Sequence, residues 1–170
     1  MDGQKTLEIG PGLGMITDKI SEKTDELLLV ENNGNLAEYI EREFPEAEVL
    51  NQDFLDLELD DLEIERVVSN IPFQISSDII EKLGKAQVQS ALIVQEELAD
   101  KVVAEPGDKN FGISTIRSQY YFVPVKLRNI SSASFYPEPE VDASILKLFP
   151  NKQRHEIEDE EQFFDIAKAL

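Results

Sequence analysis

The feature that most constrains this chain is the stretch of residues 7–17, in which an apolar run meets an acid and three closely spaced glycines. The apolar run is typical of a β-strand, and the amphipathic residues 16–23 that follow are typical of a helix. Glycines between them allow positive φ and leave no Cβ in the way of a ligand. The stretch therefore predicts a strand, a tight turn and a helix, with backbone amide groups available to an anionic or polar ligand.

The spacing of the glycines discriminates among nucleotide-binding turns. A dinucleotide fingerprint that begins at Gly10 and Gly12 would need Gly or Ala at position 15, where this chain has Met15. A phosphate-binding P-loop would need a lysine after the glycines, and none follows. The pattern is E-x-G-x-G-x-x-x-x-T, from Glu8 to Thr17. It favours a Rossmann-like site for a cofactor without a pyrophosphate, and S-adenosylmethionine is the candidate.

Length and composition restrict the class of protein. With 170 residues the chain is long enough for one domain with its own core. The absence of cysteine excludes disulfides, thiolate zinc sites and a cysteine nucleophile. No apolar run approaches the ~20 residues of a membrane span, and no apolar signal-peptide segment follows Met1. We therefore expect a cytoplasmic protein that does not enter the membrane.

The net charge of −19 is unusual for a protein that binds nucleic acid, because such proteins usually carry a basic surface. The charge is unevenly distributed: residues 1–95 hold 7 basic and 21 acidic side chains, whereas residues 96–128 hold 5 of each. The roughly neutral middle stretch is the part we expect to meet a polyanion. A salt-adapted surface, or a basic module outside this chain, would also account for the charge.

Acidic residues follow two further predicted strands. Glu31 follows the buried strand 27–30 and lies 19 residues after Gly12, close to the ~20 expected for an acid that binds a ribose diol. Asp53 follows the third strand, 48–51, where a carboxylate can accept a hydrogen bond from the amino group of adenine. Alternatively, Glu31 is a solvated acid at a strand end and Asp53 only caps a turn.

The most specific tetrapeptide is Asn70-Ile71-Pro72-Phe73, directly after the predicted strand 66–69. Pro72 has no amide hydrogen and keeps Ile71 extended, which leaves backbone carbonyls pointing outward. Asn70 adds a side-chain acceptor and Phe73 adds an aromatic face. This set suits a planar ring with an exocyclic amine. The alternative is a simple strand-to-helix turn, with Asn70 as the helix N-cap and Phe73 in the core.

The remaining pattern predicts alternating helices and strands around an acidic connector, 56–65, taken as a solvated loop with one helical turn. Helices are predicted over 36–44, 76–83 (stopped by Gly84), 96–104, 114–122 and 162–170, and strands over 89–95, 123–129 and 143–149. A proline-rich loop, 134–139, presents Phe135 and Tyr136, and Phe135 could face the ligand of Phe73 from the other side. The only histidine, His155, is expected at the surface, and no metal site is expected.

Three patterns occur in order: E-x-G-x-G at 8–12, N-I-P-F at 70–73 and S-F-Y-P-x-P-x-V-D at 134–142, with EELADKVVAEPG at 96–107 between the last two. In this combination the chain resembles the ribosomal RNA adenine dimethyltransferase family over about residues 1–150. The resemblance implies an α/β, Rossmann-like class I methyltransferase fold with a doubly wound, mostly parallel seven-stranded sheet whose last strand is antiparallel. It implies S-adenosylmethionine-dependent dimethylation of two adjacent adenosines near the 3′ end of small-subunit rRNA.

The resemblance also implies roles for individual residues. The cofactor-binding set would comprise Glu8, Gly10 and Gly12 at the methionine end, Glu31 and Asn32 near the ribose, Asp53 and Phe54 at the adenine, and Asn70. The catalytic set would comprise Asn70, Ile71, Pro72, Phe73 and Phe135 around a flipped adenine. The implied reaction is a direct in-line methyl transfer, in which orientation of the target amine supplies most of the rate enhancement.

Family members begin some 20–30 residues earlier with a basic arm, and they continue into a small helical domain. The resemblance therefore implies a methyltransferase domain over 1–150 and the start of a truncated C-terminal helical domain over 151–170. Because the missing parts are expected to be basic, we expect weakened RNA binding by this chain. The implied partner is small-subunit rRNA within a pre-ribosomal subunit, bound by a monomer.

Other functions remain open from sequence. The first alternatives are a non-catalytic RNA-binding assembly factor on the same fold and a large-subunit rRNA adenine methyltransferase. A DNA adenine methyltransferase would prefer a tetrapeptide with two prolines, whereas position 71 is Ile71. A nicotinamide oxidoreductase is disfavoured by Met15 and by the lack of a Tyr-x-x-x-Lys or catalytic histidine arrangement. The relative affinity for NADH and S-adenosylmethionine would separate the last of these from the rest.

Overall fold

A seven-stranded sheet organises the computed structural model, which describes residues 5–169. The strands are β1 Lys5–Ile9, β2 Glu26–Val30, β3 Glu48–Leu50, β4 Arg66–Asn70, β5 Gln89–Gln95, β6 Phe122–Ile130 and β7 Ala143–Pro150. Their order is β3-β2-β1-β4-β5-β7-β6. Strands β1 to β5 pair in parallel, and β7 is antiparallel to both β5 and β6. The predicted topology, including the antiparallel last strand, is confirmed.

Helices cover both faces of the sheet, as the doubly wound prediction requires. The helices are α1 Thr17–Ser21, α2 Gly34–Glu43, α3 Ser76–Lys85, α4 Glu96–Val102, α5 Ile113–Tyr121 and α6 Glu160–Ala169. Strand β2 contributes to two cores: Leu28 and Val30 join the larger cluster with α3 to α5, while Leu27 and Leu29 pack with α1 and α2. Burial on both faces explains why this strand is a continuous apolar run. Within residues 5–169, no helix is long and apolar enough to cross a membrane.

Helix α6 packs against α5 through an aromatic contact and a shared acid. Phe164 is buried in the larger core cluster with Tyr121. Glu160 accepts a hydrogen bond from the hydroxyl of Tyr120 at 3.0 Å and another from the hydroxyl of Tyr121. Burial, together with the Glu160 carboxylate, raises the pKa of Tyr121. Residue 170, the predicted end of this helix, lies outside the described residues.

Two local predictions were wrong. Gly84 does not stop α3, which continues to Lys85; instead it allows close packing, because a Cβ at Gly84 would lie 2.6 Å from Cγ of Tyr121. The acidic connector is not simply solvated, since Leu57 and Leu59 are buried in the core, while its one helical turn is present as the short 3₁₀ turn Asp60–Leu62. In both places contacts with distant residues outweighed the local pattern.

The chain order reverses between β1 and β4, which lie side by side in the sheet. From β1 the chain moves outward to β2 and β3, and after β4 it continues in the other direction. In open α/β sheets, such a reversal leaves a crevice at the carboxyl ends of the strands, and ligands bind there. The glycine turn after β1 and the Asn70–Phe73 tetrapeptide after β4 both meet this crevice.

Candidate functional site

The glycine turn after β1 faces open space. Gly10 and Gly12 have φ of +63° and +57°, and a Cβ built at either would meet no atom of residues 5–169 within 4 Å. The amide of Gly10 donates to the carbonyl of Val30 at 2.8 Å, which joins the turn to the end of β2. Positive φ at these positions is the reason for glycine. The turn thus offers a surface that a ligand can approach closely, as the sequence predicted.

Glu31 is fixed beside that turn. Its side chain is 5% exposed, with Oε2 accepting from the amide of Gly12 at 3.2 Å and Oε1 accepting from the amide of Asn33 at 2.9 Å. The side-chain amide of Asn51 donates to the Glu31 carbonyl at 2.8 Å, while the neighbouring Asn32 is exposed. The sequence did not reveal the supporting role of Asn51, because it depends on a contact between the ends of β2 and β3, whereas the bond from the Asn33 amide is local.

Glu8 is the most deeply buried acid of the crevice, with 2% exposure. The hydroxyl of Thr17 donates to its Oε2 at 2.6 Å. Burial raises the pKa of Glu8 from an ordinary value of 4.5 to about 7, and the Thr17 hydrogen bond partly opposes that rise. Thr17 was in the sequence pattern but was not assigned a role. The sequence did contain a signal for this bond, namely a hydroxyl residue in the first turn of the helix that follows an acid near the end of a strand.

Asp53 and Phe54 occupy the end of β3 in different ways. Asp53 Oδ1 accepts from the amide of Leu55 at 2.8 Å and so caps a 3₁₀ turn. Phe54 is 3% exposed in the larger core, with Lys82 Nζ 5.7 Å from its ring centroid. The ring of Phe54 is therefore part of the core, and a ligand contact from this residue must come from its backbone.

A cleft of about 290 Å³ joins the tetrapeptide after β4 to the proline-rich loop between β6 and β7. This volume is near the lower end of the ~300–1,000 Å³ usual for small-molecule sites. Its lining comprises Asn70, Ile71, Pro72, Phe73, Gln74, Phe135, Tyr136, Pro137 and Pro139. The structure therefore brings Phe135 to the same cleft as Phe73, as the sequence suggested. Gln74, Tyr136 and the two loop prolines were not among the predicted site residues.

The polar groups of this cleft differ in availability. The side-chain amide of Asn70 is exposed and has no hydrogen-bond partner among residues 5–169. The side chain of Ile71 is buried, and its carbonyl has no partner within the same described range. The carbonyl of Pro72, in contrast, accepts from Ser76 Oγ at 2.9 Å and from the Ile75 amide at 3.3 Å. The expectation that both carbonyls point to a ligand is therefore corrected: only that of Ile71 is free.

Asp142 holds the proline-rich loop in place. Its Oδ1 accepts from the amide of Ser132 at 2.9 Å, and its carbonyl accepts from the amide of Glu96 at the start of α4 at 3.0 Å. Ser132 Oγ also lies 3.0 Å from an Oε1 acceptor of Glu138. These contacts close the loop on itself and attach it to the carboxyl end of β5. The structure thus gives Asp142, which had no assigned role, a part in holding Phe135.

Asn70 is the point at which the two halves of the crevice meet. It is the last residue of β4, whose neighbours are β1 with the glycine turn and β5 with the attached loop. One half offers glycine backbone and buried carboxyl groups, and the other offers aromatic faces and free hydrogen-bond acceptors. Across the described part of the chain, no three acids or histidines are grouped so as to hold a metal ion. The arrangement suits two organic ligands placed next to each other.

A model of the family described as ribosomal RNA adenine dimethylase matches residues 2–170. The chain belongs to this family. Its membership covers both halves of the crevice, from the glycine turn to the proline-rich loop, and extends through α6.

Curated relatives and solved structures agree with that membership. The probable ribosomal RNA small subunit methyltransferase A of Thermococcus gammatolerans is 35% identical over 167 residues, covering 96% of this chain and 58% of that protein. Ribosomal RNA small subunit methyltransferase A of Alkaliphilus oremlandii is 32% identical over 181 residues, covering 98% of this chain and 63% of that protein. A dimethyladenosine transferase structure from Plasmodium falciparum has a TM-score of 0.80 at 26% identity, covering 88% of this chain and 57% of that one.

The structure of the 23S rRNA methyltransferase ErmE also has a TM-score of 0.80, at 24% identity, and covers 97% of this chain and 69% of that chain. At this identity the similarity supports the fold alone. The chain spans 58% and 61% of the lengths of the two curated Thermococcus relatives, from T. gammatolerans and T. sibiricus, that it matches.

Proposed function

We propose that this chain catalyses S-adenosylmethionine-dependent dimethylation of the exocyclic amines of two adjacent adenosines near the 3′ end of small-subunit rRNA. The proposed partner is rRNA within a maturing small ribosomal subunit, and the proposed setting is a monomer in the cytoplasm. We also propose that residues 1–150 form the methyltransferase domain and that residues 151–170 begin a further helical unit. The observation that carries the proposal is the shared cleft between Asn70–Phe73 and Phe135 beside the glycine turn.

The glycine-turn half of the crevice fits S-adenosylmethionine. Open space over Gly10 and Gly12 leaves room for the methionine end of the cofactor, and the Glu8 carboxylate can attract its ammonium group. Glu31 can accept hydrogen bonds from ribose hydroxyls while it remains bonded to Gly12. The unbonded Oδ2 of Asp53 can accept from the adenine amine. Bound in this way, the cofactor supplies a methyl group on a positively charged sulfur.

The other half of the crevice fits a flipped adenine. Removing a base from its stack costs a few kcal/mol, which stacking and edge hydrogen bonds in a pocket can offset. Phe73 and Phe135 are both half-buried and line the same cleft, so each can present a ring to the base. The side-chain oxygen of Asn70 and the carbonyl of Ile71 can accept from the two N–H bonds of the exocyclic amine.

These contacts give the chain its catalytic role. Accepting both N–H bonds orients the lone pair of the amine away from Asn70 and Ile71, and fixed orientation lowers the entropic part of the barrier. The same two oxygens lie where positive charge develops on the nitrogen, so they stabilise the transition state more than the ground state. No general base is needed before transfer, since the neutral amine is itself the nucleophile. The N–C bond would form as the S–C bond breaks, the sulfur would leave as a neutral thioether, and the methylated nitrogen would then lose one proton to solvent.

The test combines calorimetric titration of S-adenosylmethionine with methyl transfer to immature small ribosomal subunits, for the wild-type chain and for Asn70→Ala. We expect both proteins to bind the cofactor, and we expect transfer by the variant to fall about 100-fold or more, as when an oriented polar group is removed from a transition state. Gln153→Ala, an exposed residue beyond β7, is the matched control and should keep wild-type transfer.

The other outcomes contradict specific parts of the proposal. Cofactor binding without transfer by any of the proteins would reject the catalytic function for this chain and favour the assembly-factor alternative. No cofactor binding by the wild-type chain would reject the assignment of the glycine-turn half. Equal transfer by wild type and Asn70→Ala would reject the role of the Asn70 side chain.

A further inference from the structure

Tyr136 differs from the other aromatic residues of the cleft in its exposure. Phe73 and Phe135 are half-buried, whereas Tyr136 is fully exposed, so its ring contacts almost nothing among residues 5–169. It nevertheless lies on the rim of the same cleft, directly after Phe135 in the loop. Both faces of the Tyr136 ring are therefore free at the mouth of the proposed adenine pocket.

The loop that carries Tyr136 is held in shape. Asp142 bonds to Ser132 at 2.9 Å and attaches the loop to α4, and Pro137 and Pro139 restrict the backbone that follows the tyrosine. A ring on such a support loses little conformational entropy when a ligand stacks on it. The exposed position is therefore suited to binding a flat group.

We propose that Tyr136 is a stacking platform for the nucleotide adjacent to the one whose base occupies the cleft. This inference rests on the proposed function, since it assumes an RNA strand with one base in the cleft. A neighbouring base in single-stranded RNA has a free π-face, and stacking on an aromatic side chain is tolerant of base identity. With two adjacent target adenosines, that neighbour is itself an adenine in one of the two binding registers.

The charges around Tyr136 favour contact with a base rather than with a phosphate. The loop carries the acids Glu138 and Glu140 and no basic side chain between residues 131 and 142. Glu138 is turned back onto Ser132 at 3.0 Å, so it lies within the loop's own hydrogen bonds. An acidic loop repels the phosphate backbone, and the uncharged aromatic ring is the part of the loop that RNA can approach.

The experiment is a double-mutant cycle between the protein and the RNA. Binding of an RNA hairpin with a single target adenosine in its loop is measured for wild type and Tyr136→Ala, with the complete RNA and with RNAs that lack the base on the 5′ or the 3′ side of the target. We expect Tyr136→Ala to weaken binding of the complete RNA about tenfold. With one of the two abasic RNAs, we expect the substitution to have no effect. A merely structural role would weaken binding of all three RNAs equally.

Two further variants make the outcome specific. Tyr136→Phe keeps the ring and should retain wild-type affinity. Phe149→Ala removes another aromatic ring, which is 37% exposed, and it should also leave the affinity for RNA unchanged. Phe149 pairs with Val123 at the end of β7 that is far from the cleft. Equal affinity of wild type and Tyr136→Ala for the complete RNA would overturn the inference even if methyl transfer is normal. A loss of affinity in Tyr136→Ala that is the same with both abasic RNAs would also overturn it. If the wild-type chain binds none of the RNAs, the inference is overturned. If methyl transfer fails but the effect of Tyr136→Ala on binding still depends on the neighbouring base, only the proposed catalysis is rejected.

Discussion

A buried carboxyl group and glycines with positive φ form the half of the crevice that we propose to hold the cofactor. Glu8 is 2% exposed and is bonded to Thr17, while Gly12 and Gly14 both have positive φ in the same turn. The buried carboxyl group costs stability in the free protein, because removing a charge from water is unfavourable, whereas glycine adopts positive φ without strain. The burial of Glu8 is therefore consistent with a requirement of binding rather than of folding, whereas Gly14 meets a packing requirement, since a Cβ there would lie 2.6 Å from Cε2 of Phe44.

Glu8→Gln is expected to stabilise the free protein at alkaline pH. The pKa of Glu8 is raised from 4.5 to about 7 in the folded state, so folding takes up a proton at pH values between these two. The stability that this group contributes is therefore fully present below pH 4.5, and it is lost as the pH rises to about 7. The loss corresponds to about 3 kcal/mol at pH 8, which the neutral glutamine avoids. Chemical denaturation at pH 8 and at pH 4.5 measures the difference.

At pH 4.5 the glutamine variant and the wild type are expected to be nearly equally stable. Glu41→Gln, an exposed acid on α2, is the control and should change stability little at either pH. The gain from Glu8→Gln should come with weaker binding of S-adenosylmethionine, whose ammonium group is proposed to need the carboxylate. A stability difference that is the same at both pH values would contradict the interpretation.

Gly12→Ala and Gly14→Ala separate binding from packing within one turn. Both substitutions force an alanine to positive φ, at a cost of about 1–2 kcal/mol. A Cβ at Gly12 meets nothing in the protein, whereas at Gly14 it would lie 2.6 Å from Cε2 of Phe44 and so adds an overpacking cost of roughly 1–3 kcal/mol. Thermal unfolding should therefore show Gly14→Ala to be the less stable variant.

Cofactor titration of the same two variants is expected to give the opposite ranking. The Cβ of Gly12→Ala enters the space assigned to the cofactor and should weaken binding strongly, while folded Gly14→Ala should bind nearly as well as wild type. Equal affinity in Gly12→Ala and wild type would show that the ligand does not approach this part of the turn.

The loop between β6 and β7 and the strand ends together form the half of the crevice that we propose to hold the base. The loop is held at the start of α4 by Asp142, and α4 begins at the carboxyl end of β5, next to β4. The position of Phe135 relative to Asn70 therefore depends on the sheet and on a few loop hydrogen bonds. A loop of this kind can lose its arrangement without unfolding the domain.

Asp142→Ala is expected to impair catalysis more than folding. Loss of the bond to Ser132 should cost about 1 kcal/mol of stability, but the freed loop should raise the KM for RNA and lower the single-turnover rate. Asp142→Asn retains a side-chain oxygen that can accept from the Ser132 amide, so we expect it to restore most of the activity. Affinity for S-adenosylmethionine is the internal control and should be unchanged in both variants. Equal activity in Asp142→Ala and wild type would show that the loop keeps its position without this bond.

The charge of the whole molecule opposes its proposed partner. The formal net charge is −19, and the described salt bridges, such as those of Lys85 and Arg117 with Glu81, join basic side chains to acids. With 16 basic against 35 acidic side chains, the molecule as a whole repels phosphates, so we expect binding of RNA through bases and shape rather than through charge. Such binding should have a shallow dependence on salt.

Added salt is expected to stabilise the folded chain. Self-repulsion at −19 destabilises a compact state, and the Debye length falls from ~30 Å at 0.01 M to ~3 Å at 1 M ionic strength. The Tm measured at pH 7.5 should therefore rise by several degrees between 10 mM and 0.3 M NaCl and then level off. Potassium chloride should give the same curve, since the effect depends on ionic strength. A Tm that falls with salt would show that the attractive ion pairs dominate.

The family resemblance, rather than local spacing, implied the seven-stranded sheet with an antiparallel last strand. Local spacing was enough to predict the order of the elements and the glycine turn followed by an acid at the end of β2. These features follow from residues close together in the chain: apolar runs, glycines where φ is positive, and the period of each helix and strand. The Asn70–Phe73 tetrapeptide was recognisable for the same reason, since the restrictions that Pro72 imposes act on its immediate neighbours.

Contacts between distant residues decided the rest. Phe135 reaches the cleft of Phe73 because β7 lies between β5 and β6, and Asp142 holds that loop through bonds to Ser132 and Glu96. Burial of the Phe54 ring and the close approach of Gly84 to Tyr121 likewise depend on packing. Spacing along a chain fixes backbone conformation and periodicity, but burial, hydrogen-bond partners and a shifted pKa such as that of Glu8 arise only when the sheet brings separate segments together.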